Sequence, residues 1–111
     1  MTDISGELGG ITLTPAGNPY KLIGDAWVST GLTSTITEGT IIKATGYFRI
    51  TVNGKVNWSG ASFISDQVTA EPGDWWGIDI QHWDDQSQIE ECTILDSTYP
   101  LMLNEQGAVI P

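Results

Sequence analysis

The sequence predicts an all-β fold, a single-domain antiparallel β-sandwich or β-barrel of roughly seven to nine short strands. Three observations carry this expectation. Threonine, isoleucine, valine and tryptophan, which suit a pleated and half-buried surface, are frequent. No segment sustains a helical period for three turns. Short extended runs recur between Gly, Pro, Asn and Asp punctuation, and glycine alone reaches 13.

In chain order, GITLT (10–14) runs into the turn PAGNP (15–19), and YKLIGDAWVS (20–29) into STG (29–31). LTSTIT (32–37) stops at EG (38–39), and the long run 40–52 stops at NG (53–54). VNWSGASFIS (56–65) precedes AEPGD (70–74), and WWGIDIQHW (75–83) precedes DDQS (84–87). The runs 88–95, 99–103 and 107–110 complete the set, with NEQG (104–107) between the last two. No internal repeat, low-complexity segment or linker interrupts the chain, so residues 1–111 read as one domain.

The stretch GYFRITVNGKVNWSG offers a local register test. A two-residue turn at Asn53-Gly54 pairs Ile50 with Asn57 and Arg49 with Trp58, mixing apolar and polar residues on each face. A three-residue loop with Gly54 in the left-handed conformation pairs Ile50 with Val56 and Phe48 with Trp58, which keeps each face consistent. A bulged antiparallel hairpin is therefore expected here, with Trp58 in the core.

A chain of 111 residues buries about 65% of its unfolded surface, and 40% hydrophobic content argues for a packed core. Cys92 is the only cysteine, so no intramolecular disulfide forms. The N-terminus shows neither a basic nor an apolar signal region, and no apolar run is long enough to span a bilayer. A virion or cytoplasmic location without membrane insertion is the expectation.

Charge is segregated along the chain. Residues 1–65 balance four acids against Lys21, Lys43, Arg49 and Lys55, while residues 66–111 hold ten acids and no lysine or arginine. That imbalance disfavours direct binding to a nucleic-acid backbone, which draws its affinity from basic side chains.

The segment DWWGIDIQHWDD (74–85) concentrates three of five tryptophans and the single histidine. Strand alternation over 75–83 puts Trp76, Ile78, Ile80 and His82 on one side, core with His82 at its rim. Trp75, Gly77, Asp79, Gln81 and Trp83 fall on the other. Aromatic rings bracketing a carboxylate and an amide suit either a protein interface or a sugar face. Trp75 and Trp83 lie about 26 Å apart along such a strand, so an oligosaccharide or a partner subunit fits where a single sugar does not. Trp75, Asp79, Gln81 and Trp83 are thus the candidate interface or ligand residues.

Catalytic readings are weaker. His82, Asp84, Asp85 and Ser87 crowd into six residues at a strand end, where triad geometry is hard to form. Asp79 with Glu90 or Glu91 is a conceivable glycosidase-like carboxylate pair if 75–83 and 88–95 form a hairpin, but nothing selects it over a solvated acidic face. One histidine and one cysteine cannot make a tetrahedral zinc site. A weak cation site at Asp84, Asp85 and Glu90 is the metal alternative, although EF-hand spacing is absent. Acidic neighbours of Cys92 raise its thiol pKa and disfavour a reactive nucleophile. No nucleotide motif occurs, so no cofactor is expected.

The functional expectation is a non-enzymatic structural or assembly subunit acting through protein–protein contacts. A homo-oligomer or larger assembly is implied, such as a tailed-phage-like decoration, head–tail or tail component of a virion. The alternative is a lectin-like module whose tryptophan-rich strand face takes a glycan.

Overall fold

A computed structural model describes residues 2–67, 69, 71, 73–82, 84 and 86–103, with backbone alone for 99–103. The fold is all-β, but its strands are parallel and wind into a β-solenoid of about four turns. The expectation of an antiparallel sandwich or barrel is thereby overturned. The strands in order are β1 (Thr2–Glu7), β2 (Thr12–Leu13), β3 (Tyr20–Val28), β4 (Thr33–Ile36), β5 (Ile41–Ala44) and β6 (Arg49–Val52). They continue as β7 (Lys55–Ser59), β8 (Ser62–Ser65), β9 (Trp75–Ile80), β10 (Gln88–Glu90), β11 (Thr93–Ile94) and β12 (Ser97–Leu103).

Each coil contributes one stretch to each of three faces. Face 1 stacks the first half of β3 on β5, then β8 and β11. Face 2 stacks the second half of β3 on β6, then β9 and β12. Face 3 stacks β2, β4, β7 and β10. In the first coil, β1 runs beside both halves of β3, with a register shift between Ile4 and Gly6.

The core is built from side chains stacked coil on coil. On face 3, Leu13, Ile36, Trp58 and Ile89 occupy one position of successive coils, and all four are buried. On face 1 the same column is Tyr20, Ile42, Phe63 and Ile94. Face 2 adds Ala26, Ile50 and Ile78, and beside them Val28, Val52 and Ile80. A coil cannot bury its inward side chains alone, because only its neighbours above and below complete the apolar column. Trp58 is fully buried, as the sequence predicts, and its ring centroid lies 5.2 Å from that of Phe63.

The structure therefore contains a repeat that is invisible as sequence similarity. Residues 13, 36, 58 and 89 are equivalent, spaced by 23, 22 and 31 residues. The last spacing is long because loops 66–74 and 81–87 replace the tight corners 45–48 and 53–54 of the coil before.

The expected hairpin at Asn53-Gly54 is instead a solenoid corner between faces 2 and 3. The N–H groups of Asn53 and Gly54 donate to the Val28 carbonyl, at 2.8 and 3.0 Å, and that of Lys55 to Leu32 at 2.9 Å. All three bonds reach back to the previous coil. The expected strands 40–52, 56–65 and 88–95 are each two strands broken by a corner, and β1 falls in a segment for which the sequence predicts no strand. The expected strand 107–110 and the turn before it lie outside the described residues.

Candidate functional site

The segment that drew attention in the sequence is split by one glycine. Gly77 has φ +117°, a conformation that side-chain-bearing residues rarely adopt, and the alternation of β9 changes phase there. Trp75 points inward ahead of the glycine; Ile78 and Ile80 point inward after it. Trp75 is 1% exposed, its indole N–H donates to the Leu95 carbonyl at 2.8 Å, and its ring stacks on Phe63 at 6.4 Å. It is a core residue. Trp76, expected in the core, is only partly buried and carries the Arg49 guanidinium 5.1 Å above its ring.

Asp79 does lie on the outward side, in line with Trp27 and Thr51 of the preceding coils, yet it is 2% exposed. Gln81 donates to its Oδ2 at 2.6 Å, and Arg49 Nη1 lies 3.7 Å from the same oxygen. A buried carboxylate held by an amide and a guanidinium orders the outer surface of face 2. Gln81 is exposed, and Trp83 lies outside the described residues. Of the four expected face residues, the structure brings Asp79 and Gln81 together and places Trp75 on the opposite side of the sheet.

The acidic half owes much of its arrangement to backbone satisfaction. At corners the chain leaves the ladder, and its N–H groups need acceptors. Asp74 accepts from Glu71 N–H at 3.0 Å and Ser65 Oγ at 2.7 Å; Asp96 accepts from Ser65 N–H at 3.2 Å. Asp84 accepts from Gln86 N–H at 2.8 Å. Asp84 is thus engaged, Glu90 is exposed on β10, and Asp85 lies outside the described residues. Among the described residues, no group of three or more His, Cys, Asp or Glu side chains could hold a metal ion.

The serine of the weak hydrolase reading is similarly committed. Ser87 is buried, and its hydroxyl accepts the Val56 N–H at 3.0 Å, while His82 is exposed. Burial pushes the Cys92 thiol pKa up, so the direction matches the sequence reading but desolvation rather than acidic neighbours is the main cause. A shallow pocket of about 180 Å³ at the corner of faces 2 and 3 is lined by Gly31, Leu32, Thr33, Lys55, Asp84 and Gln86. It is smaller than typical small-molecule sites.

Trp27 is a surface residue that the tryptophan-rich segment 74–85 does not include. It sits outward on β3 and is 45% exposed, beside Asp25 on its own strand and Thr51 on the next. The alternation of β3 marks it as outward: Tyr20, Leu22, Ala26 and Val28 are buried, Ile23, Asp25 and Trp27 are exposed, and Lys21 and Gly24 are intermediate.

No protein-family model, no curated protein and no solved structure matches the chain. Among the described residues, no helix is long and apolar enough to cross a membrane.

Proposed function

We propose that this chain is a rigid structural module that works by contact within a larger protein assembly. The observation that carries this reading is the open end of the stack. β1 pairs with β3 alone and β2 with β4 alone, so the outer edges of both end strands have no ladder partner among the described residues. An unpaired edge is a row of main-chain donors and acceptors that another strand can use. In a parallel solenoid, the last coil of a second copy meets the first coil in the same strand direction. Such head-to-tail contact closes into rings or extends into filaments.

Exposed Ile11, beside β2, adds apolar area to that end. A virion component, such as a tail, head–tail or decoration protein, is the specific form of this proposal. A cytoplasmic assembly is the other setting.

Sedimentation velocity over a range of protein concentration tests it. Thr2 N–H donates to Pro19 in the β3 direction, so the Asp3 N–H faces the open edge. Mass should rise with concentration, and Asp3→Pro, which removes an edge donor on β1, should suppress the rise. A strictly monomeric chain at all concentrations defeats the reading.

A further inference from the structure

We propose that the outer surface of face 2 around Trp27 binds a neutral glycan. The inference is independent of the assembly reading and stands on a different set of residues. Four parallel strands run in register here, so Glu7, Trp27, Thr51 and Asp79 form a row across β1, β3, β6 and β9. Adjacent strands are about 4.8 Å apart, so Asp79 lies about 10 Å from Trp27 along that row. The surface is the outer side of a parallel sheet, which suits a chain-like ligand lying across the strands.

The indole is seated rather than free. Its outer ring edge reaches over Gly6, where a Cβ would sit 3.9 Å from it, and Gly6 has φ +73°. The ring thus lies at packing distance from β1 while 45% of the residue stays exposed. A pyranose presents an apolar face of C–H groups and an equatorial fringe of hydroxyls. The first needs an aromatic surface and the second needs both donors and acceptors.

Both are present around Trp27. Asp25 is exposed two residues before it, and its carboxylate fixes the neighbouring strand by accepting the Arg49 N–H at 3.0 Å. Arg49 is exposed and is held over Trp76, beside the buried carboxylate of Asp79. Thr51 and Gln81 each offer a donor and an acceptor.

Charge narrows the ligand class. Asp25 and Asp79 outnumber Arg49, so the surface lacks the cationic excess that a uronate, a sulfated sugar or a phosphate requires. A neutral hexose polymer fits it. A protein partner is the less favoured occupant, because the residues beside Trp27 in the grid, Asp25, Thr51 and Arg49, are polar. Aspartate is depleted from the buried core of protein interfaces, and Asp25 sits directly beside this ring.

The test is titration of the intact chain with maltohexaose, cellohexaose and a mannohexaose, followed by calorimetry and intrinsic fluorescence. At least one oligomer should bind, and Trp27→Ala should weaken it by about tenfold or more. Trp27→Phe should retain part of the affinity, and it keeps the experiment readable if Trp27→Ala fails to fold. The proposal is overturned if no oligomer binds up to about 10 mM, which is weaker than any useful recognition. Unchanged affinity in both Trp27 variants overturns it too. So does protection of Trp27 from acrylamide quenching by self-association, which would make this face a protein interface.

Discussion

The indole N–H of Trp58 donates to the hydroxyl of Ser34, 3.0 Å away on the preceding coil, and both residues are fully enclosed. Ser34 stacks on Val56 and Ile36 on Trp58, so the bond crosses between columns as well as between coils. It explains how a tryptophan can occupy an inner column at all: its one polar atom is satisfied inside the core.

Ser34→Ala should therefore cost more than its size suggests. It leaves the Trp58 N–H buried without its partner, a loss of about 1–3 kcal/mol. Urea denaturation checks this, with the midpoint falling at unchanged slope. Ser34→Thr keeps the hydroxyl but adds a methyl to a packed column, so it should be destabilising by overpacking instead.

Gly54 separates the two architectures that this sequence could encode. In the expected hairpin it serves for its left-handed backbone. In the solenoid it serves for space: a Cβ there would lie 2.2 Å from the Ser29 carbonyl oxygen and 2.6 Å from that of Leu32. Both obstacles are backbone of the previous coil and cannot rotate away. Gly54→Ala should destabilise by about 3 kcal/mol or more. Gly10→Ala is the control, because Gly10 has φ +78° and nothing within 4 Å, leaving only a backbone cost of about 1–2 kcal/mol. Equal losses in the two variants, measured by thermal or urea unfolding, would speak against the corner geometry.

That contrast shows what the sequence could and could not convey. Inward and outward alternation is written plainly in residues 20–28 and 55–59, and it placed Trp58 in the core. Alternation is blind to strand direction, however. Ile50 and Val56 can face the same interior across a hairpin or on two faces of one coil. The direction is carried by the repeat, and its rungs share apolarity but no identity, as Leu13, Ile36, Trp58 and Ile89 illustrate. Enlarged loops in the fourth coil then break the period where a search would seek it. The Trp75 assignment failed for a different reason: Gly77 shifts the phase within β9, and a fixed two-residue alternation cannot anticipate it.

Acid should loosen the first corner of the solenoid through Glu7. Its carboxylate accepts the Ser29 hydroxyl and, at 3.0 Å each, the N–H groups of Ser29 and Gly9. The Ser29 hydroxyl bond is the main cause that holds its pKa below the ordinary carboxylate value. Between the folded and ordinary values the unfolded chain binds the proton more readily. The contribution of Glu7 is therefore complete above its ordinary pKa and disappears as pH falls through the folded one. Glu7→Gln should be less stable than the parent at pH 7, and the gap should close in that acid window. Urea midpoints collected from neutral to acid pH measure it, and a gap that stays constant with pH would exclude the charge as its source.

Trp75 and Trp27 should respond unequally to the same substitution. Trp75 fills the interior beside Phe63 and donates to Leu95, so Trp75→Ala opens a large cavity and removes a buried hydrogen bond. A loss of about 3–5 kcal/mol is expected, a large part of the stability of a domain this size. Trp75→Phe keeps most of the volume and should recover much of it, leaving chiefly the orphaned Leu95 carbonyl. Trp27→Ala removes a ring that is 45% exposed and otherwise packs over Gly6, so it should cost clearly less, about 1–2 kcal/mol. Unfolding curves for the three variants decide the matter. Were Trp75→Ala nearly neutral, the tryptophan would belong to a surface, and the phase change at Gly77 would have to be abandoned.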